Sequence, residues 1–275
     1  MAEQFKLGVD SIGKKIHRLA NAAAMAGFLF LPHNEARAFE IKPGSTFEEG
    51  MSEIQSGTLN DDFETRTYLI VEKDDQGKLN FKWGPSIPSG STGGLASEDV
   101  SKDILQKVVD EKGGPFTVYR IHSHYTQLNL PFAIGSNDRY FSIPPSAADI
   151  STMQSDEERN SMHGSRKFTL HEAVSDGTGV WLFDRIAGDT TTRTDLWLSV
   201  ALESPNGALE KWITANVFPH DVDQTTVEKK VRDTREGPLF KDLLKDYQNA
   251  GANLRYVLWR DLVPSTFRDF ESTKQ

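Results

Sequence analysis

"FTVYRIHSH", residues 116–124, is filled with β-branched and aromatic residues and ends in two histidines one residue apart. Phe116, Thr117, Val118, Tyr119 and Ile121 favour a strand. Residues i and i+2 of a strand share a face, so His122 and His124 present two imidazoles side by side while Ser123 faces away. Two readings fit this pair. Both histidines line a polar sheet surface, or they occupy two neighbouring positions of a tetrahedral metal site.

Working outward, residues 46–56 read as a helix, with Phe47, Met51 and Ile54 spaced i, i+4, i+7. "TRTYLIVEKDDQGKLNFKWGP" reads as a β-hairpin: Tyr68 to Val71 form an apolar run, Asp75–Gly77 turn, and Leu79, Phe81 and Trp83 alternate. The Gly/Ser loop 86–97 leads into a helix over 97–114, capped by Ser97. Downstream, "PPSAADISTMQSDEERN" opens a second helix. "FTLHEAVS" and "GVWLFDR" form another hairpin around Asp176–Gly177, and "DLWLSVAL" reads as a strand. A helix over 239–249 burying Phe240, Leu243, Leu244 and Tyr247 precedes a closing strand, "LRYVLWRDL". Interleaved strands and helices with hairpin connections predict an α/β (α+β) fold, a mixed central sheet flanked by helices.

A net charge of −9 without a Lys/Arg cluster argues against nucleic acid as a partner. Cysteine is absent, which excludes disulfides, thiolate ligands and a thiol nucleophile, so a transition metal must be held by His and carboxylates. No apolar run is long enough to span a membrane. The stretch "KKIHRLANAAAMAGFLFLPHNEARA" has the grammar of a signal segment, yet Ile12, Ile16, Leu19, Ala20 and Ala23 follow amphipathic-helix spacing. The helix is the preferred reading and a signal or delivery segment the alternative. Residues 1–45 are thus expected to form an N-terminal extension. Residues 46–275 would form the main domain, with a C-terminal helix–strand extension.

The third ligand is sought in "SIPPSAADI". Asp149 falls in the first turn of the expected helix, where a carboxylate can reach a metal. Ser-x-x-Asp after two prolines is equally a helix N-terminus, with Ser146 as cap and Asp149 favoured by the dipole. His171 and Glu172 are adjacent, so they face opposite sides of a strand and cannot jointly chelate. His17, His33, His163 and His220 carry no comparable signal.

A strand ending in His-Ser-His, a loop, then Ser-x-x-Asp opening a helix resembles the JAMM (MPN+) metalloprotease motif. That family includes zinc isopeptidases, deubiquitinases and bacterial peptidase-like domains of toxins and effectors. The resemblance spans about 64–184, under half of the chain. It implies a JAMM/cytidine-deaminase-like sheet, zinc bound by His122, His124 and Asp149, and Ser146 stabilising the oxyanion. It also implies a protein or peptide substrate, and a protein that is cytoplasmic, or secreted or delivered as an effector. The family takes its general base from an upstream glutamate at the start of a strand. Glu64 in "FETRTYLIV" fits that position, and Glu53 on the preceding helix is the alternative. The chain departs from the family in two places. Tyr125 stands where proline is usual, and residues 125–145 lengthen a normally short spacer, which reads as a substrate-selecting flap. The rival to an enzyme is a metal-free MPN-like interaction scaffold. Other HxH hydrolases fit less well, because "HSHYTQ" lacks the Asp-His of metallo-β-lactamases and "HYTQLNLP" the Glu of cupins.

Overall fold

The computed structural model describes residues 40–42, 44–60, 64–74, 76–84, 86–88, 116–124, 138–140, 142–162, 168–219 and 222–267. The expected N-terminal helix, the helix over 97–114 and most of the insertion after His124 lie outside these residues.

Helix α1 (Phe47–Asn60) opens with a capping box: Glu49 N–H donates to Thr46 Oγ1 at 3.2 Å and Thr46 N–H to Glu49 Oε2 at 2.8 Å. Strands β1 (Thr65–Lys73) and β2 (Leu79–Trp83) form the expected hairpin, with Leu69 opposite Trp83 and Val71 opposite Phe81. The short β3 (Ile87–Pro88) also pairs with β1. Strand β4 (Phe116–Ser123) lies antiparallel to β1 and parallel to β6 (Phe168–Ser175). A parallel pair needs a crossover, and α2 (Ala147–Met162) lies within it. Strand β7 (Gly179–Arg185) returns antiparallel to β6, and β9 (Ala252–Leu258) pairs with β7. The order is β2-β1-β4-β6-β7-β9, a mixed sheet of one parallel and otherwise antiparallel neighbours. Outside it, β5 (Asp138–Tyr140), at the end of the insertion, pairs with β8 (Val217–Pro219).

The registers sort the side chains by face. On one face Leu69, Tyr119, Ile121, Ala173, Val180 and Leu182 pack with Phe47, Met51 and Ile54 of α1, and with Phe267. On the other, Val174, Trp181, Phe183, Tyr256 and Leu258 meet the remaining helices. These are α2, α3 (Asp195–Leu202), α4 (Ala208–Ala215), α5 (Gln224–Glu236) and α6 (Pro238–Asn249). At its centre Trp181 stacks on Tyr256 with ring centroids 4.2 Å apart and meets Trp212 edge-on at 5.6 Å. Gly179, which begins β7, has no room for a Cβ, because Val257 of β9 passes against it.

Residues 195–202 correct one expectation, being a helix and not a strand. Leu196, Leu198, Val200 and Leu202 alternate as a strand would, yet Thr194 caps a helix by accepting from Trp197 N–H. Leu198 and Leu202, four apart, are buried, whereas Leu196 and Val200 are exposed. The helical stripe decides because the sheet already has β9 beside β7, leaving α3 to pack on its face. Among the described residues no helix is long and apolar enough to cross a membrane.

Candidate metal centre

His122 is the penultimate residue of β4, and His124 lies just past the strand end, its N–H donating to Ser175 O at 2.8 Å. This contact prolongs the β4–β6 ladder and keeps both imidazoles on the face that carries α2. Their ring centroids are 5.1 Å apart, with planes inclined at 62°. The first turn of α2 brings Asp149 against both. Asp149 Oδ1 is 3.1 Å from His122 Nε2, and Oδ2 is 3.4 Å from His124 Nε2. One ligand atom from each of the three residues lies within 4.8 Å of the others. Metal–ligand bonds of about 2.0–2.1 Å in a tetrahedron place neighbouring ligand atoms about 3.3 Å apart, close to the 3.1 Å between His122 Nε2 and Asp149 Oδ1.

The hydrogen-bond partners orient this set. His124 Nδ1 is 3.3 Å from Ile143 O, and an Nδ1–H donating there turns Nε2 toward Asp149, where it carries a proton in the metal-free protein and would offer its lone pair to a metal. His122 Nε2 is buried and, despite its nearness to Asp149, has no aligned hydrogen bond. It faces Asp149 Oδ1 at 3.1 Å, a buried nitrogen and carboxylate oxygen that one cation could bridge. Ser146 and Asp149 close a capping box. Ser146 N–H and O–H donate to Asp149 Oδ2 at 2.6 and 2.7 Å, while Asp149 N–H donates to Ser146 Oγ at 3.2 Å. With Oδ2 so engaged, Oδ1 is the oxygen left for a ligand.

Charge follows the same geometry. Burial works to lower the His124 pKa, but the hydrogen bond and charge of Asp149, the charge of Glu64 and the Ile143 carbonyl outweigh it, raising it to about 9. Burial works to raise that of Asp149, and the two imidazoles overcome it, holding the carboxyl well below its usual range. A cation entering the site replaces a proton already attracted there.

Glu64 precedes β1 by one residue and is half-buried. Arg66 pairs with His122, so continuing the antiparallel register brings Glu64 level with His124 and onto the same face. Thr65 N–H donates to Ser123 Oγ at 2.9 Å, fastening the two strand ends together. Glu53 lies exposed on α1, which covers the opposite face. His171 and Glu172 point apart as expected. His171 Nδ1 meets Asp184 Oδ2 at 3.0 Å, and Glu172 Oε2 accepts from Arg120 Nε at 2.8 Å.

Sequence reasoning did not foresee two contributors. The Ile143 carbonyl has no residue-type signal, and Asp176 was legible only as a turn residue. No protein-family model matches the chain, and neither does any curated protein or solved structure. The buried His122–His124–Asp149 group is therefore characterised by its own geometry, as a set that can hold a metal ion.

Proposed function

We propose that the protein is a zinc-dependent hydrolase of peptide or isopeptide bonds, as the JAMM-like order of its motifs implies. The observation that carries this reading is the convergence of His122, His124 and Asp149, with Glu64 level with His124; three protein ligands are what a catalytic zinc, which keeps its fourth position for water, would require. The donor set, two imidazoles and one carboxylate without thiolate, suits zinc. Zinc held there would supply Lewis acidity, activating a water near neutral pH and polarising the scissile carbonyl. Glu64 accepts the proton of the attacking water and returns it to the leaving amine. Ser146 O–H turns from Asp149 Oδ2 to the developing oxyanion. Asp149 keeps the Ser146 N–H as a partner throughout that turn.

One observation favours the alternative, a non-catalytic MPN-like interaction scaffold. The Ser146 hydroxyl is already committed to its cap. Metal analysis of the purified protein, with assays on linear and isopeptide-linked peptides, separates the readings. The hydrolase holds one zinc per chain and cleaves at least one of the two substrates. Glu64→Gln keeps the zinc and loses about 10²–10⁴ in rate. A wild type that takes up no zinc would remove the metal centre and leave the metal-free scaffold as the better reading, and a zinc-loaded wild type that cleaves neither substrate would overturn the hydrolase.

A further inference from the structure

We propose that Asp176 is a positioning residue of the metal centre, fixing Ile143 and, through the Ile143 carbonyl, the imidazole of His124. The inference rests on the metal reading above and assigns a role to a residue outside the ligand set.

Asp176 is fully buried at the first position of the β6–β7 turn, and its two oxygens do different work. Oδ1 serves the turn, accepting from the N–H groups of Thr178 and Gly179, both at 2.8 Å, and from Thr178 Oγ1 at 3.1 Å. An asparagine would satisfy those donors equally well. Oδ2 serves something the turn does not need. It accepts from Trp181 Nε1 at 2.6 Å and from Ile143 N–H at 3.1 Å, across a separation of 33 residues.

Ile143 is the same residue whose carbonyl meets His124 Nδ1. Its N–H is held by Asp176 and its C=O holds the histidine, so one residue's backbone transmits position from the turn to the ligand. Three residues later the chain reaches Ser146, which starts α2 and with it Asp149. Asp176 thus anchors the segment that orients one ligand and delivers another. A carboxylate is required because donors converge on both of its oxygens. In the Asp176→Asn protein the amide –NH₂ would face either Ile143 N–H and Trp181 Nε1–H or, flipped, the N–H groups of the turn.

The test compares wild type, Asp176→Asn and Thr178→Val, the last weakening the Oδ1 side, where Thr178 and the Tyr256 hydroxyl meet the carboxylate, and leaving the Oδ2 bonds in place. The first readout is exchange of the His124 Nδ1–H proton, followed by ¹H–¹⁵N NMR in metal-free protein. The second is zinc affinity by chelator competition. Asp176→Asn is expected to exchange that proton at least about tenfold faster and to weaken zinc by about 10–100-fold, the usual range for an outer partner of a ligand. Thr178→Val should leave both unchanged, whatever it costs in stability. Should Asp176→Asn not fold, Ile143→Pro removes the other end of the same hydrogen bond and keeps the carbonyl, with the same expected result. Wild-type exchange and affinity in the Asp176→Asn or Ile143→Pro protein would overturn the inference, as would an equal loss in Thr178→Val. If wild type binds no zinc but the exchange still accelerates in Asp176→Asn, the relay from Asp176 through Ile143 to His124 stands, while the metal reading falls and with it the role of Asp176 at a metal centre.

Discussion

The two faces of the sheet are built from the same parts and put them to different ends. Each carries a helix that opens with a capping box, Thr46–Glu49 on α1 and Ser146–Asp149 on α2. Each carries histidine against aspartate. On the α1 face, His171 and Asp184 form a sealed pair at 3.0 Å, and the imidazole stacks on Tyr119 with centroids 5.0 Å apart. One histidine and one carboxylate, both buried, do not make the three-ligand set that a metal needs. On the α2 face, two same-side histidines at a strand end meet a carboxylate whose helix starts at the same level. What separates a structural pair from a metal-competent set is convergence at the end of the sheet, where a helix N-terminus can add the third atom.

Removing one ligand should produce the largest difference between the faces. His122→Ala is expected to weaken zinc on the order of a thousandfold and to abolish hydrolysis, and to lower the urea midpoint of the metal-free protein, because the buried Asp149 carboxylate loses one of the two imidazoles that favour its charge. Zinc retained at wild-type affinity would remove the distinction altogether. Next in size, Asp184→Asn should cost about 2–4 kcal/mol of stability, since it leaves a buried imidazole without its charged partner. Urea titration measures the cost, and zinc stoichiometry should not change. A loss of zinc in that variant would mean the two faces are coupled. The smallest effect is a slope with pH. In the metal-free protein the His124 pKa is raised to about 9, so the imidazole carries a proton that zinc must displace. Affinity should therefore rise by about tenfold per pH unit between pH 6 and 8 and level off above about 9. Chelator competition at three pH values checks this, and a flat profile would contradict the Asp149–His124 contact.

Much of this was legible in the chain. Strands β1, β2, β4, β6, β7 and β9 announced themselves as β-rich runs bounded by turn residues, and the histidine pair followed from the strand period alone, whereas the two- and three-residue strands β3, β5 and β8 are too short to carry a period. The sequence misled at α3, where Leu196, Leu198, Val200 and Leu202 mimic alternation. Only the packing of Leu198 and Leu202 shows which period is used. Helix α5 escaped because it buries just Val227 and Val231 among charged residues, and its clearest mark is the Asp223 cap, which accepts from Thr226 N–H. In the site, side chains that chelate carry a signal, whereas the supporting contacts do not. The Ile143 carbonyl is backbone, and the second oxygen of Asp176 finds its partner only when the sheet and the loop before α2 come together.

The position of β9 has a consequence for how the chain is made. The proposed ligands lie between His122 and Asp149, and β6, which supports them, ends at Ser175. The strand that completes the sheet beside β7 is not synthesised until residues 252–258. During translation the half that carries the proposed ligands can assemble early, while β7 waits with an unpaired edge and Trp181 lacks its stacking partner Tyr256. A chain truncated between Arg185 and Ala252 is thus expected to present the β7 edge to strand-edge association, and aggregation of such a fragment relative to the full chain would measure it.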